Sequence, residues 1–327
     1  MSKILIDNRW DGTGGIGTFA HETNKINRYK DAGFTGKPFS PLDSFRLTLR
    51  TMFTRNKILF FPGYIPPLYS CSPYVITIHD LNHLDREDNS SVLKKLFYNT
   101  IILRGCKKAK YIFTVSEFSK KRIVDWSGVP KEKVINVGNG VSNDFSPEGE
   151  GIGYPFEYFL CVSNRKSHKN EIRTLLAFRE SKIPSTIKLV FTGEENTTLK
   201  NKIAELGMSE RVIFSGFLKK VDLPKIYRSA KALVFVSLYE GFGLPVLEAM
   251  ASGVPVITSS TTSLGEIAGN AAYLVDPENV AQIAEAINIL NRDEFVRSDL
   301  IHKGLSHVQK YSWEKAASEI NYHLSLI

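Results

Sequence analysis

Tyr239-Glu240-Gly241-Phe242-Gly243-Leu244-Pro245-Val246-Leu247-Glu248-Ala249-Met250-Ala251-Ser252-Gly253-Val254-Pro255-Val256-Ile257 reads, in order, as a strand end, a glycine turn, a short helix and the start of another strand. The preceding apolar run closes near Ser237. Pro245 suits the first helical position, where its missing N–H removes no hydrogen bond. Gly253 and Pro255 end the helix and lead into the next strand. A strand–helix–strand unit of this kind belongs to a parallel sheet with helices on its faces. It also puts the amides of Gly243 and Leu244 at a helix N-terminus, where unpaired N–H groups and the helix dipole favour a diphosphate. Glu240 precedes the turn and Glu248 lies in the first turns of the helix, so the two carboxylates can take different hydroxyls around one phosphate. A solvated loop carboxylate and a helix carboxylate near the positive end of its dipole would give the same spacing.

The alternation continues in both directions. Strands are predicted at 3–7, 58–61, 74–79, 111–115 and 134–137, and in a second series at 158–162, 187–192, 212–215, 232–236 and 254–258. Helical segments separate most of them, with one expected at 19–29. A turn-rich stretch at 143–155 divides the chain. The expected domains are 1–145, 146–312 and a C-terminal helix at 313–327, striped by Ala316, Ala317, Ile320 and Leu324. The implied fold class is α/β, with two Rossmann-like halves facing across a cleft and ligands beyond the carboxyl ends of the strands. A length of 327 residues suits two domains, and 43% apolar with 23% charged residues excludes a disordered or fibrous chain. Cys71, Cys106 and Cys161 are far apart and odd in number, which argues against a disulfide framework or a Cys-rich zinc site. No stretch approaches the ~18 apolar residues of a membrane span. The N-terminus reaches Asp7 too soon for a signal peptide, so a cytoplasmic protein is expected.

Residues 158–170 run from a strand into a loop carrying Arg165, Lys166, His168 and Lys169. That is the charge a diphosphate needs, although a merely basic surface loop would read alike. Gly12-Thr13-Gly14-Gly15-Ile16-Gly17 follows the first strand without G-x-G-x-x-G spacing, so alone it is a β-to-α turn. His79 ends the run Tyr74-Val75-Ile76-Thr77-Ile78-His79. His79 and His83 would share a face only on a helix, so no metal site is expected there. Ser116 suits the N-cap of the helix that follows it. Phe217 and Leu218, in Phe214-Ser215-Gly216-Phe217-Leu218, suit either core packing or an apolar wall.

Residues 240–257 closely resemble the E-x7-E segment of retaining glycosyltransferases of family 4, which have the GT-B fold. The resemblance implies that Glu240 contacts hydroxyls of the donor sugar and that Glu248 binds the ribose of a sugar nucleotide. Gly241, Phe242, Gly243 and Leu244 then form the phosphate-binding turn. It implies that Lys169 holds the donor phosphates. The companion arginine falls on Asn164 in one register and on His168 in another, with Arg165 adjacent, and the role is assigned to Arg165. Gly14 and Gly15 match the family's GG loop, and Thr77-Ile78-His79-Asp80-Leu81 resembles its T-x-H-D-L stretch, which makes His79 a contact to sugar or phosphate. Val115-Ser116 and Asn139-Gly140-Val141 match further islands, and Phe217 and Leu218 fall in the loop against the nucleotide base. Residues 32–56 carry no motif of the family that can be placed. The resemblance further implies front-face substitution, with the leaving diphosphate stabilised by Arg165, Lys169 and helix amides, and no divalent metal or other cofactor. The chain looks most like bacterial O-antigen and polysaccharide mannosyltransferases. GDP-mannose is the first donor expected, with UDP- or dTDP-sugars behind it, and the acceptor is lipid-linked or an oligosaccharide. The alternative is a GT-B-fold sugar-nucleotide 2-epimerase, which needs no acceptor and would leave the E-x7-E pair unexplained.

The net charge is +8, and residues 94–133 alone hold eleven Lys or Arg against three acids. A helix over 91–108 would carry Leu93, Leu96, Phe97 and Ile101 on one face, with Lys94, Lys95, Arg104, Lys107 and Lys108 mostly elsewhere. Such a surface suits anionic lipid headgroups, as does a merely solvated basic face. Peripheral binding to the inner face of the plasma membrane through Lys94–Lys133 is expected. Nucleic acid is not expected, because no aromatic-interleaved platform or reading helix accompanies the charge.

Overall fold

The computed structural model describes residues 3–40, 42–86, 88 and 90–327, so Met1 and Ser2, with which the N-terminal reading begins, lie outside the described residues. The chain forms two α/β units. One contains the residues up to Gly140 together with Tyr311–Ile327, and the other is Val141–Lys310.

The first unit is a parallel sheet of β1 (Ile4–Ile6), β2 (Lys30–Asp31), β3 (Ile58–Phe61), β4 (Tyr74–Thr77), β5 (Ile112–Thr114) and β6 (Val134–Asn136). Its order is β2-β1-β3-β4-β5-β6. Strands β3 and β4 are buried at every position, which is why they read as unbroken apolar runs instead of alternating ones. The helix expected at 19–29 spans Gly14–Asn27. Its first turn is therefore built from the glycine run itself, and Gly14 enters it at φ 60°. The C-terminal helix Trp313–Ser325 returns to this unit and buries Ala316, Ala317, Ile320 and Leu324. Asn27 Nδ2 donates to Ala317 O at 2.9 Å, and Tyr29 OH bonds Asn321 Oδ1 at 3.0 Å. Gly140 lies so close to the backbone of Trp313 that a Cβ there would collide with it.

Residues 92–108 form helices Val92–Phe97 and Leu103–Lys108 joined by a π turn, Tyr98–Ile102. A π turn takes in an extra residue and rotates the face that follows. The buried face here is Tyr98, Ile102 and Cys106, while Leu93 and Leu96 stand 78% and 58% exposed.

The second unit is a parallel sheet of β7 (Tyr158–Cys161), β8 (Lys188–Phe191), β9 (Val212–Phe214), β10 (Ala232–Phe235), β11 (Val256–Ser259) and β12 (Tyr273–Val275). Its order is β12-β11-β10-β7-β8-β9. Phe159, Leu189, Val234 and Ile257 pack with Phe178 and Ile287 in its core. The turn-rich stretch at 143–155 belongs to this unit. Arg228 donates to Ser146 O at 3.2 Å and to Glu150 O at 3.1 Å, and the Phe145 ring meets Tyr227 edge-on at 5.5 Å. Each sheet reverses its strand order once, between β1 and β3 in the first unit and between β10 and β7 in the second. Such switch points are where open α/β sheets bind ligands.

Candidate active site

In the second unit β10 pairs with β7 through Ala232 with Phe159 and Leu233 with Leu160, so the loops leaving their carboxyl ends are neighbours. The β7 loop ends in a 3-10 turn, Ser167–Lys169, followed by Asn170 in the left-handed region at φ 59°. Asn170 Nδ2 donates to Val236 O at 2.9 Å and to Pro277 O at 2.7 Å. Leu238 N donates to His168 O at 2.8 Å. These bonds tie the loops together and bring Lys169 Nζ to 2.7 Å from Glu240 Oε1, with the ammonium 4.8 Å over the Phe235 ring. Both side chains are largely buried, at 13% and 16% exposure. A buried charge is tolerable only with a partner, so each holds the other in place.

Beyond Glu240 the chain turns through Gly243, at φ 113°, into the helix Leu244–Ala251. A Cβ at Gly243 would meet Leu264 Cδ2 at 2.5 Å, so any other residue would be strained there and would have to displace Leu264. Ser263 Oγ lies 2.8 Å from Glu240 O and 3.1 Å from Phe242 O and fixes the turn from below. The amides of Gly243 and Leu244 precede the helix's own hydrogen bonds and are its free donors. One turn on, Tyr227 OH donates to Glu248 Oε2 at 2.6 Å. Burial pushes the Glu248 carboxyl up to about 7, against the lowering effect of that hydrogen bond.

Arg165 sits in the same β7 loop, but its donors face the protein. Nε donates to Glu194 O at 2.7 Å, Nη2 donates to Thr192 O at 2.6 Å, and Nη1 pairs with Glu171. Its guanidinium lies 5.5 Å from the Phe191 ring centroid and 5.1 Å from that of Phe214. Lys169 is thus paired with the β10 loop across the switch point, and Arg165 joins the loops after β7 and β8. Phe217 is 87% exposed, which removes core packing as its role, and Leu218 is half-buried. Asn170, Tyr227 and Ser263 were not singled out by the sequence. Asn170 stands beside Lys169 ahead of a helix, where an Asn tolerant of left-handed backbone is a usable signal. Nothing in the local sequence marks Tyr227 or Ser263, because their partners are distant along the chain.

In the first unit Gly14 and Gly15 open the helix after β1, and a Cβ on either would meet nothing within 4 Å. Phe19 of that helix meets the His79 ring edge-on at 5.0 Å. His79 Nε2 lies 2.9 Å from Pro62 O at the end of β3, an arrangement that assigns the proton to Nε2 and leaves Nδ1 an acceptor. Burial lowers this imidazole to about 4, so it is neutral near pH 7. Ser116 Oγ accepts from Ser119 N at 3.1 Å and caps the helix Glu117–Ser127. Among the described residues no group of three or more His, Cys, Asp or Glu could hold a metal ion. No helix among them is long and apolar enough to cross a membrane.

Two parallel α/β units with reversed-order sheets, the second presenting a cation, a carboxylate and a glycine-turned helix, are the construction of a GT-B glycosyltransferase. The chain belongs to the glycosyl transferases group 1, whose family pattern matches residues 143–307, and residues 20–145 match Glycosyltransferase Family 4. It is similar to O-antigen chain mannosyltransferase B of Escherichia coli, 29% identical over 75% of this chain and 68% of that one. It is also similar to O-antigen chain mannosyltransferase RfbU of Salmonella typhimurium, 28% identical over 76% and 72% of the two chains. Among solved structures, Anabaena HepE in complex with UDP and glucose superposes with a TM-score of 0.80 at 16% identity over both whole chains. WaaG, a glycosyltransferase of lipopolysaccharide biosynthesis, superposes with a TM-score of 0.72 at 13% identity over 96% of this chain and 98% of that one. These likenesses confirm the GT-B fold, and the family makes the chain a hexosyltransferase.

Proposed function

We propose that the enzyme is a retaining mannosyltransferase that moves mannose from GDP-mannose to a lipid-linked or oligosaccharide acceptor in surface-polysaccharide synthesis. The observation that carries this reading is the Lys169–Glu240 pair at the β10–β7 switch point, leading into the helix that opens at Gly243 and Leu244. The names of the two mannosyltransferase relatives support mannose and the polysaccharide setting. In this reading the donor diphosphate lies on the amides of Gly243 and Leu244 and draws the Lys169 ammonium from Glu240. Glu240, released, accepts hydrogen bonds from the donor sugar. Glu248, ionised, accepts from the ribose, and Gly241, Phe242, Phe217 and Leu218 complete the walls. Arg165 acts by bracing the loop that carries Lys169. On the other unit, Gly14 and Gly15 leave backbone open to a phosphate, and His79 Nδ1 accepts a hydrogen bond from a sugar hydroxyl. Charge stabilisation at the leaving diphosphate supplies the largest part of the catalysis, as preorganised donors do in low-dielectric sites. The glycosidic bond breaks while the acceptor oxygen bonds the same face of the anomeric carbon, and the departing phosphate takes the acceptor's proton. The N-terminal unit takes the acceptor, and its basic stretch Lys94–Lys133 docks on the anionic inner face of the membrane. No divalent metal is required.

The test is turnover of labelled GDP-, UDP- and dTDP-sugars, with and without acceptor lipid and with EDTA. Retention of anomeric configuration, dependence on acceptor and indifference to EDTA are expected. Lys169→Ala and Glu240→Ala should each lower kcat by on the order of 10²-fold or more, the range for losing one preorganised charge-stabilising group. A near-full rate in either variant would refute the assignment. Preference for a UDP-sugar would overturn the donor, and a changed sugar formed without acceptor would favour the 2-epimerase.

A further inference from the structure

A groove of about 550 Å³ lies in the N-terminal unit, within the size range of small-molecule sites (~300–1,000 Å³). Phe39, Tyr64, Leu93, Leu96, Phe97 and Tyr98 line it, and Lys94 stands on its rim with Nζ 3.5 Å from His83 Nδ1. Its walls are unusual in what they expose. Phe39 is 56% exposed, Leu93 78% and Leu96 58%, and Val92 beside them is 83% exposed. The helix Val92–Phe97 buries no residue at all. The helix Asp43–Thr51 buries Asp43, Ser44, Leu47 and Thr51 while leaving Phe45 and Leu49 at 55% and 49% exposure. Contiguous apolar surface of this kind marks an interaction site, since leaving it in water forfeits its burial energy.

The charge around the groove selects the occupant. Lys94 and Lys95 lie on the wall helix, in a stretch that carries eight positive charges in excess. A second copy of the chain would set that charge against itself, which electrostatic complementarity disfavours. One groove, apolar inside and cationic at the rim, fits one apolar chain ending in an anion. We infer that it binds the chain of a single-chain lipid phosphate, with Lys94 taking the head. Naming that lipid as the carrier of the glycosyl acceptor rests on the proposed function, whereas its binding does not.

The experiment uses the full chain with phosphatidylglycerol vesicles containing a polyisoprenyl phosphate that bears a diazirine along its chain. Irradiation should label peptides covering residues 39–40 and 92–100. Unlabelled polyisoprenyl phosphate should compete at least about tenfold better than the neutral polyisoprenol, the ratio of one lost charge contact, and better than added phosphatidylglycerol, whose head is also anionic but which carries two chains. Phe39→Ser and Leu96→Ser, both lining the groove and both exposed enough to leave folding intact, should each cut labelling by about tenfold, as loss of one large apolar contact does. Labelling spread over the surface, equal competition by phosphatidylglycerol, or cross-linked dimers in place of lipid adducts would each overturn the inference. Binding of GDP-mannose is read in the same preparation by thermal shift. Donor binding without groove labelling removes this inference alone, and labelling without any nucleotide-sugar binding removes the proposed reaction and leaves the lipid site.

Discussion

Glu248 stands under two opposed demands. Its carboxyl is held at about 7 in the folded protein against 4.5 ordinarily, with burial as the cause and Tyr227 as partial relief. The folded state therefore binds this proton more tightly than the unfolded chain, and the stability Glu248 contributes is full below pH 4.5 and lost as pH rises to about 7. Glu248→Gln keeps an acceptor for Tyr227 and removes that loss. It should raise stability at pH 8 by on the order of 1–3 kcal/mol, with the gain fading toward pH 5, as thermal melts at the two pH values would read. If Glu248 holds the ribose as proposed, the same change should weaken nucleotide binding by about tenfold, since an amide replaces a charged acceptor. In the wild type, donor affinity should climb as pH passes 7. His79, already neutral above pH 4, has no part in that rise. A rise that persists in Glu248→Gln would show that another group titrates. Arg165 teaches a related lesson. Its place in a cationic loop was legible in the sequence, but its commitment to Glu171, Thr192 and Glu194 was not, because those partners lie up to 29 residues away.

The elements differ in how openly the sequence declares them. Strands such as β3, β4, β7 and β10 are buried at every position, and a continuous apolar run between turns identifies them. Strand β2, with two residues both exposed, and edge strand β12, with only Val275 buried, lack any such pattern and were not predicted. The start of the helix after β1 was misplaced because glycine ordinarily argues against a helix, whereas here Gly14 and Gly15 form its first turn. Two glycine-opened helices, after β1 and after β10, look alike in sequence yet differ physically. Gly15→Ala meets nothing and replaces a flexible residue within a helix, so it should hold or raise stability, by up to about 1 kcal/mol. Gly243→Ala forces a left-handed residue and a methyl onto Leu264, so it should cost about 1–3 kcal/mol. If open backbone at Gly15 serves phosphate approach, its alanine variant will melt no lower than wild type yet bind donor less well. A Gly15→Ala enzyme with wild-type KM for donor would mark that turn as structural only.

Across the whole molecule the positive charge is unevenly placed, and its location sets what salt should do. The net +8 equals the excess within residues 94–133, all of which lie in the first unit. The nucleotide-binding residues proposed above, Lys169, Glu240 and Glu248, lie in the second. Each Lys or Arg beside an anionic bilayer is worth about 1 kcal/mol, and the Debye length shrinks from about 10 Å at 0.1 M salt to about 3 Å at 1 M. Purified protein should therefore sediment with phosphatidylglycerol vesicles at low salt, detach as salt rises, and ignore neutral vesicles. Lys107, Lys108 and Lys131 are exposed and stand outside the groove of the N-terminal unit, so they report headgroup attraction alone. Replacing all three with Gln removes about 3 kcal/mol of that attraction and should lower partitioning by roughly a hundredfold at low salt. Titration with GDP should give an unchanged affinity, because the substituted residues and the nucleotide-binding residues belong to separate units. Vesicle binding that survives both the triple substitution and 1 M salt would mean that apolar insertion through Leu93 and Leu96, and not charge, holds the enzyme to the membrane.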